Sequence, residues 1–237
     1  MKIELDDGYF FGKGAFETIK VVEKKPVFLE RHLKRLYGTL EFLGIDKKIV
    51  LGDLDKFISE TKERNFILKI VVSEKNIIFS KRVDPYINNY SSYRLTISDS
   101  KKSSSSKLLY HKTLAYYENI LDHKVALDKG FDSALFLNER DEITETSFAN
   151  IFFVRNEKIY TPKVSSGLLR GTMRDYLLEN FSVVEDTIRV GDLKEFDEAF
   201  ISNSIMGVRP VKSINSLVFS SFQVLEKILN KLKKYGF

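Results

Sequence analysis

Tyr110-His-Lys-Thr-Leu-Ala-Tyr-Tyr-Glu-Asn-Ile-Leu121 is the stretch from which the rest of the chain is best interpreted. It follows a polar run over 98–107 that predicts a linker. Apolar side chains then recur at three- and four-residue spacing, which predicts a helix that ends at Gly130. Lys112 stands just before this helix, at the junction with the linker. The apolar residues in question are Leu114, Tyr117, Leu121 and Val125.

Lys112 has two interpretations at this junction. A lysine amine that lacks its proton can attack a carbonyl and form a Schiff base, so Lys112 is a candidate nucleophile. Lysine is also common on solvated surfaces, and this chain is rich in it. The stretch by itself does not decide between the two, and the residues on either side of it must do so.

Composition excludes several classes of protein. The chain has 237 residues, of which 43% are hydrophobic and 13% aromatic, so it is expected to be globular. It has no cysteine, which excludes disulfides, iron–sulfur clusters and thiolate zinc sites. Three scattered histidines do not suggest a metal site. These features, with the apparent lack of a secretory signal, fit a cytoplasmic enzyme.

Charge and hydropathy indicate which kinds of binding partner the protein has. The net charge is +5, but the lysines are interspersed with Glu and Asp, which favours a solvated surface over a nucleic-acid site. No apolar run approaches the length that spans a bilayer. We therefore expect a small-molecule substrate, without nucleic-acid or membrane partners.

The N-terminal part, residues 1–103, predicts a two-layer domain of helices and antiparallel strands. Strands are predicted by alternation and β-branched residues, and helices by the 3.6-residue period. The predicted strands are 15–22, 66–72, 77–79 and 93–97, and the predicted helices are 28–44 and 53–64.

His32 and Arg35 lie three residues apart in the first predicted helix and so share one face, away from the leucine stripe. One interpretation is a solvated polar face. The other is that the forked guanidinium of Arg35 binds an anion such as a phosphate.

The C-terminal part, residues 104–237, predicts a meander of strands with an acidic residue and two polar turns. Glu145 is the one charge in the Thr-rich segment 143–147, where it is either an outward-facing strand residue or a buried carboxylate with a cationic partner. The glycine-bearing loop 165–171 leads into a helix near Thr172, whose exposed N–H groups suit an anion. A Ser-Asn-Ser turn at 202–204 suits one also.

An amine nucleophile, an acid about thirty residues later and three phosphate-suited elements are the groups that a pyridoxal phosphate (PLP) enzyme needs. With these residues in view, the sequence resembles the class IV aminotransferase family, the fold-type IV PLP enzymes. That family includes branched-chain aminotransferases, D-amino acid aminotransferases and 4-amino-4-deoxychorismate lyases. The motifs that carry the resemblance are Gly12-Lys-Gly-Ala-Phe-Glu-Thr-Ile19, His32-Leu-Lys-Arg-Leu36, His111-Lys-Thr-Leu114, Glu118-Asn-Ile-Leu121, Thr144-Glu-Thr-Ser-Phe-Ala-Asn-Ile-Phe152, Thr161-Pro162, Leu169-Arg-Gly-Thr-Met-Arg174 and Ser202-Asn-Ser204.

The resemblance implies a role for each matching residue. Lys112 would form the Schiff base with the cofactor and act as the general acid and base. Glu145 would pair with the pyridine nitrogen, and Tyr116 would hydrogen-bond the cofactor's phenolic oxygen. The phosphate would be bound by Arg35 and by a cup made of Gly171, Thr172, Asn203 and Ser204.

The resemblance also implies an α+β fold and a homodimer. A small N-terminal two-layer α/β domain, residues 1–103, would precede a larger C-terminal pseudo-barrel domain, residues 104–237. Two positions depart from the family's usual pattern. Ala115 stands where many members have Asn, and Thr172-Met173 stands where many have Ile-Thr, so Thr172 would have to supply the hydroxyl that Met173 lacks.

The motifs indicate the cofactor more firmly than the reaction. The His-Lys-Thr-Leu run, the Glu-Asn-Ile-Leu continuation, the compact length and the Ser-Asn-Ser turn look most like the 4-amino-4-deoxychorismate lyases. The alternative is an aminotransferase for branched-chain or D-amino acids. A cofactor-binding protein without catalysis is a third interpretation, against which Lys112 and Glu145 argue. Candidates for binding the substrate carboxylates are Arg82, Arg170 and Arg209.

Overall fold

The computed structural model describes residues 2–87 and 90–237. The chain forms two compact units, and each is described by itself. Unit 1 consists of Met1–Ile87 and His111–Tyr116, and unit 2 consists of Asn88–Tyr110 and Tyr117–Phe237.

Unit 1 is an antiparallel sheet whose strand order is β2-β1-β3-β4. Its core joins alternate residues of β1, among them Ala15, Ile19 and Val21, to Leu36 and Leu40 of α2. This is the two-layer arrangement that the N-terminal pattern predicts. The elements of unit 1 are α1 (Asp7–Phe11), β1 (Gly14–Val22), β2 (Lys25–Pro26), α2 (Leu29–Phe42), α3 (Leu51–Glu60), β3 (Phe66–Ser73) and β4 (Ile77–Arg82).

Unit 2 contains a closed barrel. In the described residues its strands follow the order β8-β11-β12-β5-β6-β7, and a further pairing of β7 with β8 closes the ring. The α+β fold with a pseudo-barrel is therefore confirmed. The elements of unit 2 are β5 (Tyr93–Lys102), α4 (Tyr117–Asp128), β6 (Ser133–Asn138), β7 (Ile143–Thr146), β8 (Asn150–Arg155), β9 (Lys158–Pro162), α5 (Thr172–Asn180), β10 (Val183–Asp186), β11 (Glu198–Asn203), β12 (Gly207–Ile214), β13 (Leu217–Val218) and α6 (Gln223–Leu232).

The two units differ from the expected domains, residues 1–103 and 104–237, in two segments. The strand β5 lies in unit 2 because it pairs in parallel with β6 and β12. The expectation that this strand joins the N-terminal antiparallel sheet is wrong. Segment His111–Tyr116 lies in unit 1, where its backbone bonds to β1.

The polar run over 98–107 is not simply a linker, because its first half continues β5. Lys102 shows why a polar sequence can be buried here. Its side chain is 2% exposed, and its amine donates to Glu118 at 2.7 Å and to Asn119 at 2.9 Å, both on α4. These contacts satisfy the charge that the sequence pattern assigns to solvent.

The helix after Lys112 begins three residues later than its apolar spacing predicts, at Tyr117. Tyr117, Leu121 and Val125 are exposed, while Asn119 and His123 are partly buried. The polar side of α4 therefore packs against the other elements of unit 2, and the apolar residues of α4 lie at the surface. In the described residues, none of the helices combines the length and the hydropathy that crossing a bilayer requires.

Candidate active site

Lys112 lies in a short extended segment that pairs with the beginning of β1. The amide of Phe16 donates to the carbonyl of Lys112 at 3.1 Å, and the amide of Leu114 donates to the carbonyl of Gly14 at 2.9 Å. The amide of Lys112 donates to the hydroxyl of Thr39 on α2 at 3.3 Å. Backbone bonds on both sides of Lys112 therefore hold its position in unit 1.

Gly14 permits this close approach. A Cβ atom at residue 14 would lie 2.7 Å from the Leu114 side chain and 2.7 Å from the carbonyl oxygen of Val72, which is too close for any side chain. The glycine of the N-terminal motif is thus required by the packing of the lysine-bearing segment against β1.

The amine of Lys112 lies against two aromatic rings. Its Nζ is 4.2 Å from the centre of the Phe16 ring and 4.9 Å from that of Tyr116. The two rings meet edge to face at 5.5 Å. Tyr116, which is predicted to contact the cofactor, thus lies next to Lys112 in unit 1.

Arg35 lies on α2 and forms a two-point ion pair with Glu17 of β1. Its Nε donates to Oε1 of Glu17 at 2.7 Å, and its Nη2 donates to Oε2 at 2.6 Å. Nδ1 of His32 lies 2.6 Å from the same Oε2. Glu17 and His32 are fully buried, so a solvated polar face is the wrong interpretation of His32.

Electrostatics in this trio favour an ionised Glu17 and a neutral His32. Burial would raise the pKa of Glu17, but the charge of Arg35 and the hydrogen bonds from Arg35 and His32 outweigh it and lower the pKa to about 2. Burial lowers the pKa of His32, against the opposing attraction of Glu17.

In unit 2, Glu145 is a buried carboxylate on β7, with 8% of its surface exposed. Its Oε2 accepts from the amide of Leu169 at 3.2 Å and from Nδ2 of Asn150 at 3.3 Å. Asn150 also donates to the carbonyl of Leu169 at 2.8 Å. The alternative interpretation, an outward-facing Glu145, is therefore wrong. Asn150 links Glu145 to the glycine-bearing loop by donating hydrogen bonds to both.

The N-terminus of α5 follows that loop. Gly171 is the N-cap of the helix, and among the described residues no side-chain cap bond to the first-turn amides is seen. A Cβ at Gly171 would lie 2.1 Å from Oδ1 of Asn150, so any other residue there would have to displace the Asn150 side chain. The hydroxyl of Thr172 is buried and has no hydrogen-bond partner among the described residues.

The polar turn between β11 and β12 is held by its own asparagine. Oδ1 of Asn203 accepts from the amides of Ile205 and Met206, both at 2.9 Å. Ser204 follows it in the turn. The hydroxyl of the preceding Ser202 is buried and has no partner among the described residues.

These observations fit a phosphate-bearing cofactor. A buried hydroxyl without a partner is costly unless something bonds to it. The hydroxyl of Thr172, at a helix N-terminus whose amides have no side-chain cap, can donate to an anionic oxygen. The departure at Thr172-Met173 is thus compatible with the cup that the resemblance implies, because the hydroxyl is available one residue earlier.

Comparison with known proteins shows the family of this chain. The family described as amino-transferase class IV matches residues 14–214. The chain belongs to this class IV aminotransferase family. It is accordingly an enzyme, and its fold is that of the fold-type IV PLP enzymes.

Three similar proteins illustrate the range of the family. An aminodeoxychorismate lyase of Bacillus subtilis is 25% identical over an alignment of 244 positions, which covers 91% of this chain and 82% of the relative. A Methanocaldococcus jannaschii protein with the provisional name of branched-chain-amino-acid aminotransferase is 27% identical over an alignment of 253 positions, which covers 97% of this chain and 88% of that relative. A crystal structure from Legionella pneumophila, provisionally titled 4-amino-4-deoxychorismate lyase, has a TM-score of 0.90 and 27% identity, covering 99% of this chain and 95% of that one.

The predicted site residues fall into two sets, one in each unit. Unit 1 holds Lys112, Tyr116 and Arg35, and unit 2 holds the rest, which are Glu145, Gly171, Thr172, Asn203 and Ser204. Sequence reasoning missed Glu17 as a partner of Arg35 and Asn150 as a partner of Glu145. A signal for Glu17 was available, because its two-residue spacing from the apolar Ala15 and Ile19 puts it on the same, buried face of β1.

The candidate carboxylate-binding arginines differ in their surroundings. Arg170 is exposed and pairs with Asp175 at 2.8 Å. Arg209 is buried, and its Nη1 donates to the carbonyl of Val208 at 2.8 Å. Arg82 is an exposed residue at the end of β4. The assignment of these three arginines to the substrate carboxylates stays a prediction.

Proposed function

We propose that this enzyme is a PLP-dependent 4-amino-4-deoxychorismate lyase that forms 4-aminobenzoate and pyruvate. The observation that carries the proposal is the placement of Lys112, whose amine lies over two aromatic rings in a segment pinned to β1. The lyase motifs, including the His-Lys-Thr-Leu run, and the similarity to the lyase of Bacillus subtilis support this choice of reaction.

When bound, PLP supplies a ring that accepts the electrons left when a proton leaves the carbon beside the substrate's amino group. Lys112 would hold the cofactor through its amine and, once the substrate's amino group has taken its place there, the freed amine would remove that proton. The bond between the substrate ring and the enolpyruvyl oxygen would then break, with its electron pair going to the oxygen, and the ring would become aromatic. The enolate that leaves would take up a proton at carbon and become pyruvate.

The remaining residues bind and orient. Glu145, which accepts two hydrogen bonds from Asn150 and Leu169, would keep the pyridine nitrogen of the cofactor protonated. Tyr116 would donate to its phenolic oxygen. The phosphate would be bound by Arg35, by the amides at Gly171 and Thr172, by the Thr172 hydroxyl, and by the turn at Asn203 and Ser204.

A second candidate function is an aminotransferase for branched-chain or D-amino acids with a 2-oxo acid acceptor. The Methanocaldococcus jannaschii relative favours it, since its identity to this chain is similar to that of the lyase. Lys112 would then move a proton from the α-carbon of the amino acid.

A paired assay on the PLP-loaded protein distinguishes the two. One arm supplies 4-amino-4-deoxychorismate and follows 4-aminobenzoate and pyruvate. The other supplies a panel of L- and D-amino acids with 2-oxoglutarate and follows glutamate. We expect product in the first arm; turnover in the second alone would overturn the lyase and establish the aminotransferase, and silence in both would overturn both reactions.

We also propose that the enzyme works as a homodimer. Exposed apolar residues on α4 support this, because large apolar surfaces on a folded protein usually mark contacts with another chain. They include Tyr117, Ile120, Leu121, Val125 and Leu127.

A further inference from the structure

The carboxylate of Glu17 is enclosed by two basic side chains of α2. Arg35 reaches it with Nε and Nη2 at 2.7 and 2.6 Å, and His32 with Nδ1 at 2.6 Å. A guanidinium bound at two atoms by one carboxylate is fixed in both position and plane. Glu17 therefore determines the direction in which the other edge of the guanidinium, which carries Nη1, points.

Stability alone gives no reason for this arrangement. Glu17 shares its side of β1 with the buried Ala15 and Ile19, so an apolar residue would fit the pattern of the core. A buried ionic cluster generally stabilises a protein less than apolar side chains of similar size would. His32 has a further cost, because its Nε2 is buried without a partner among the described residues. The trio is better explained by orientation than by stability.

The same face of α2 also contacts the lysine-bearing segment. His32, Arg35 and Thr39 follow one another at three- and four-residue spacing, which puts them on one side of the helix. Thr39 accepts the amide of Lys112 at 3.3 Å. The face that carries Arg35 is thus the face that holds the backbone of Lys112, and both belong to unit 1.

We propose that Glu17 and His32 are positioning residues, which orient Arg35 to bind the phosphate of PLP. Glu17 accepts two hydrogen bonds from the guanidinium and so fixes its orientation. His32 fixes the Glu17 carboxylate by donating a hydrogen bond from Nδ1. The inference rests on the phosphate-binding role that the proposed function gives to Arg35. It adds two residues that touch neither the cofactor nor the substrate.

Charge and positioning make opposite predictions for Glu17. Its negative charge lies beside the group that would bind an anion, so on charge alone its removal should strengthen phosphate binding. If Glu17 orients Arg35, its removal should weaken phosphate binding although the site becomes more positive. The sign of the change therefore tells the two effects apart.

The experiment compares the affinity of the apo-protein for PLP and for pyridoxal, which lacks the phosphate. We expect Glu17→Gln to weaken PLP binding about 10- to 100-fold, by analogy with the range found for groups that orient metal-binding side chains. Pyridoxal binding should change little. The matched control is Glu30→Gln, which removes an exposed carboxylate from α2 and should leave both affinities unchanged.

A second pair of variants leaves charge unaltered. His32→Asn keeps a short side-chain donor near Glu17, whereas His32→Leu removes it. We expect His32→Leu to reduce the preference for PLP over pyridoxal and His32→Asn to retain most of it. Because both ligands are measured on one variant, a general folding defect lowers both affinities and leaves their ratio unchanged.

Arg35→Met provides the reference for each outcome. If Arg35→Met abolishes the preference for PLP over pyridoxal while Glu17→Gln and His32→Leu keep it, the positioning role is overturned and the phosphate role of Arg35 stands. Tighter PLP binding by Glu17→Gln would overturn it as well. If Arg35→Met itself keeps the preference, the phosphate role and the inference fall together.

Discussion

At the scale of single residues, Lys112 and Lys69 offer a natural comparison, because both amines lie over the ring of Phe16. Nζ of Lys112 is 4.2 Å from the ring centre and that of Lys69 is 5.0 Å. Lys69 is an exposed residue of β3, whereas Lys112 is partly buried and its backbone is bonded to β1 and α2. The backbone of Lys69 is also fixed, since β3 pairs with β1 and β4, so the two lysines differ in the burial of their side chains and not in the order of their backbones.

We predict that Lys112→Ala abolishes the visible absorbance that PLP acquires when it binds a lysine amine. Lys69→Ala should retain it, since that variant removes a neighbouring amine on the same ring. The measurement is an absorbance spectrum of each purified variant after incubation with PLP. An unchanged band in Lys112→Ala, or its loss in Lys69→Ala, would contradict the assignment.

The low pKa of Glu17 predicts a pH dependence of stability. A carboxyl whose pKa is lowered on folding stabilises the protein above its unfolded pKa, and this contribution is lost as the pH falls. For Glu17 the window runs from 4.5 down to about 2, and the shift corresponds to roughly 3 kcal/mol. We expect wild-type protein to lose more unfolding free energy than Glu17→Gln between pH 6 and pH 3.

Denaturant titrations at the two pH values measure that difference. Glu30→Gln serves again as the control, because an exposed carboxylate contributes little to the slope. Parallel slopes in wild type and Glu17→Gln would show that Glu17 is not held ionised by Arg35 and His32.

At the scale of elements, the N-terminus of α5 is built around the contact between Gly171 and Asn150. The side chain of Asn150 fills the space that a Cβ at residue 171 would need, and it also bonds to Glu145. The side chain of Asn150 thus connects the helix that is proposed to bind the phosphate with Glu145, the acid that is proposed to pair with the pyridine nitrogen.

We predict that Gly171→Ala displaces Asn150 and weakens PLP binding by at least about tenfold, the lower end of the effect of losing an orienting partner. Gly191→Ala is the matched control, because nothing lies within 4 Å of its added Cβ. Titration of both apo-variants with PLP gives the comparison. Equal affinities would mean that the loop adapts without disturbing the site.

At the scale of the whole molecule, α4 has its polar side against unit 2 and its apolar residues at the surface. Asn119 donates to the carbonyl of Ser147 at 3.1 Å, and Lys102 donates to Glu118 and Asn119. Tyr117, with 67% of its surface exposed, lies on the outer side. This is the reverse of the usual pattern for a surface helix.

We predict a homodimer in solution that α4 helps to form. Light scattering coupled to size exclusion should give a mass about twice the 27.5 kDa of the chain. Leu121→Glu should shift the mass towards the monomer, because it places a charge on the apolar face, while Glu118→Gln should not. A monomeric wild type would contradict the dimer, and a dimeric Leu121→Glu would exclude α4 from its interface.

The sequence by itself determined the family, the cofactor chemistry that the family implies and most of the elements. Lys112, Glu145 and Arg35 could be proposed as site residues because each lies in a distinctive local context, which is a lysine before a helix, a charge in a Thr-rich strand and an arginine beside a leucine stripe, and because the family resemblance then gave each a role. The first strand and the helix that follows it were found because their apolar residues alternate or recur with a clear period. These signals lie within a few residues of one another, where a sequence can be interpreted without knowledge of the fold.

Only the tertiary structure decided which strands pair and which polar groups are buried. Strand β5 follows the N-terminal sheet in sequence but pairs in parallel with β6 and β12, which come later in the chain. Glu17 and Arg35 lie eighteen positions apart and meet because β1 packs under α2. Long-range pairing and the burial of a charge depend on partners that no local pattern specifies, and this is the physical reason that the ionic contact among Glu17, His32 and Arg35 and the contact of Asn150 with Glu145 emerged from the fold alone.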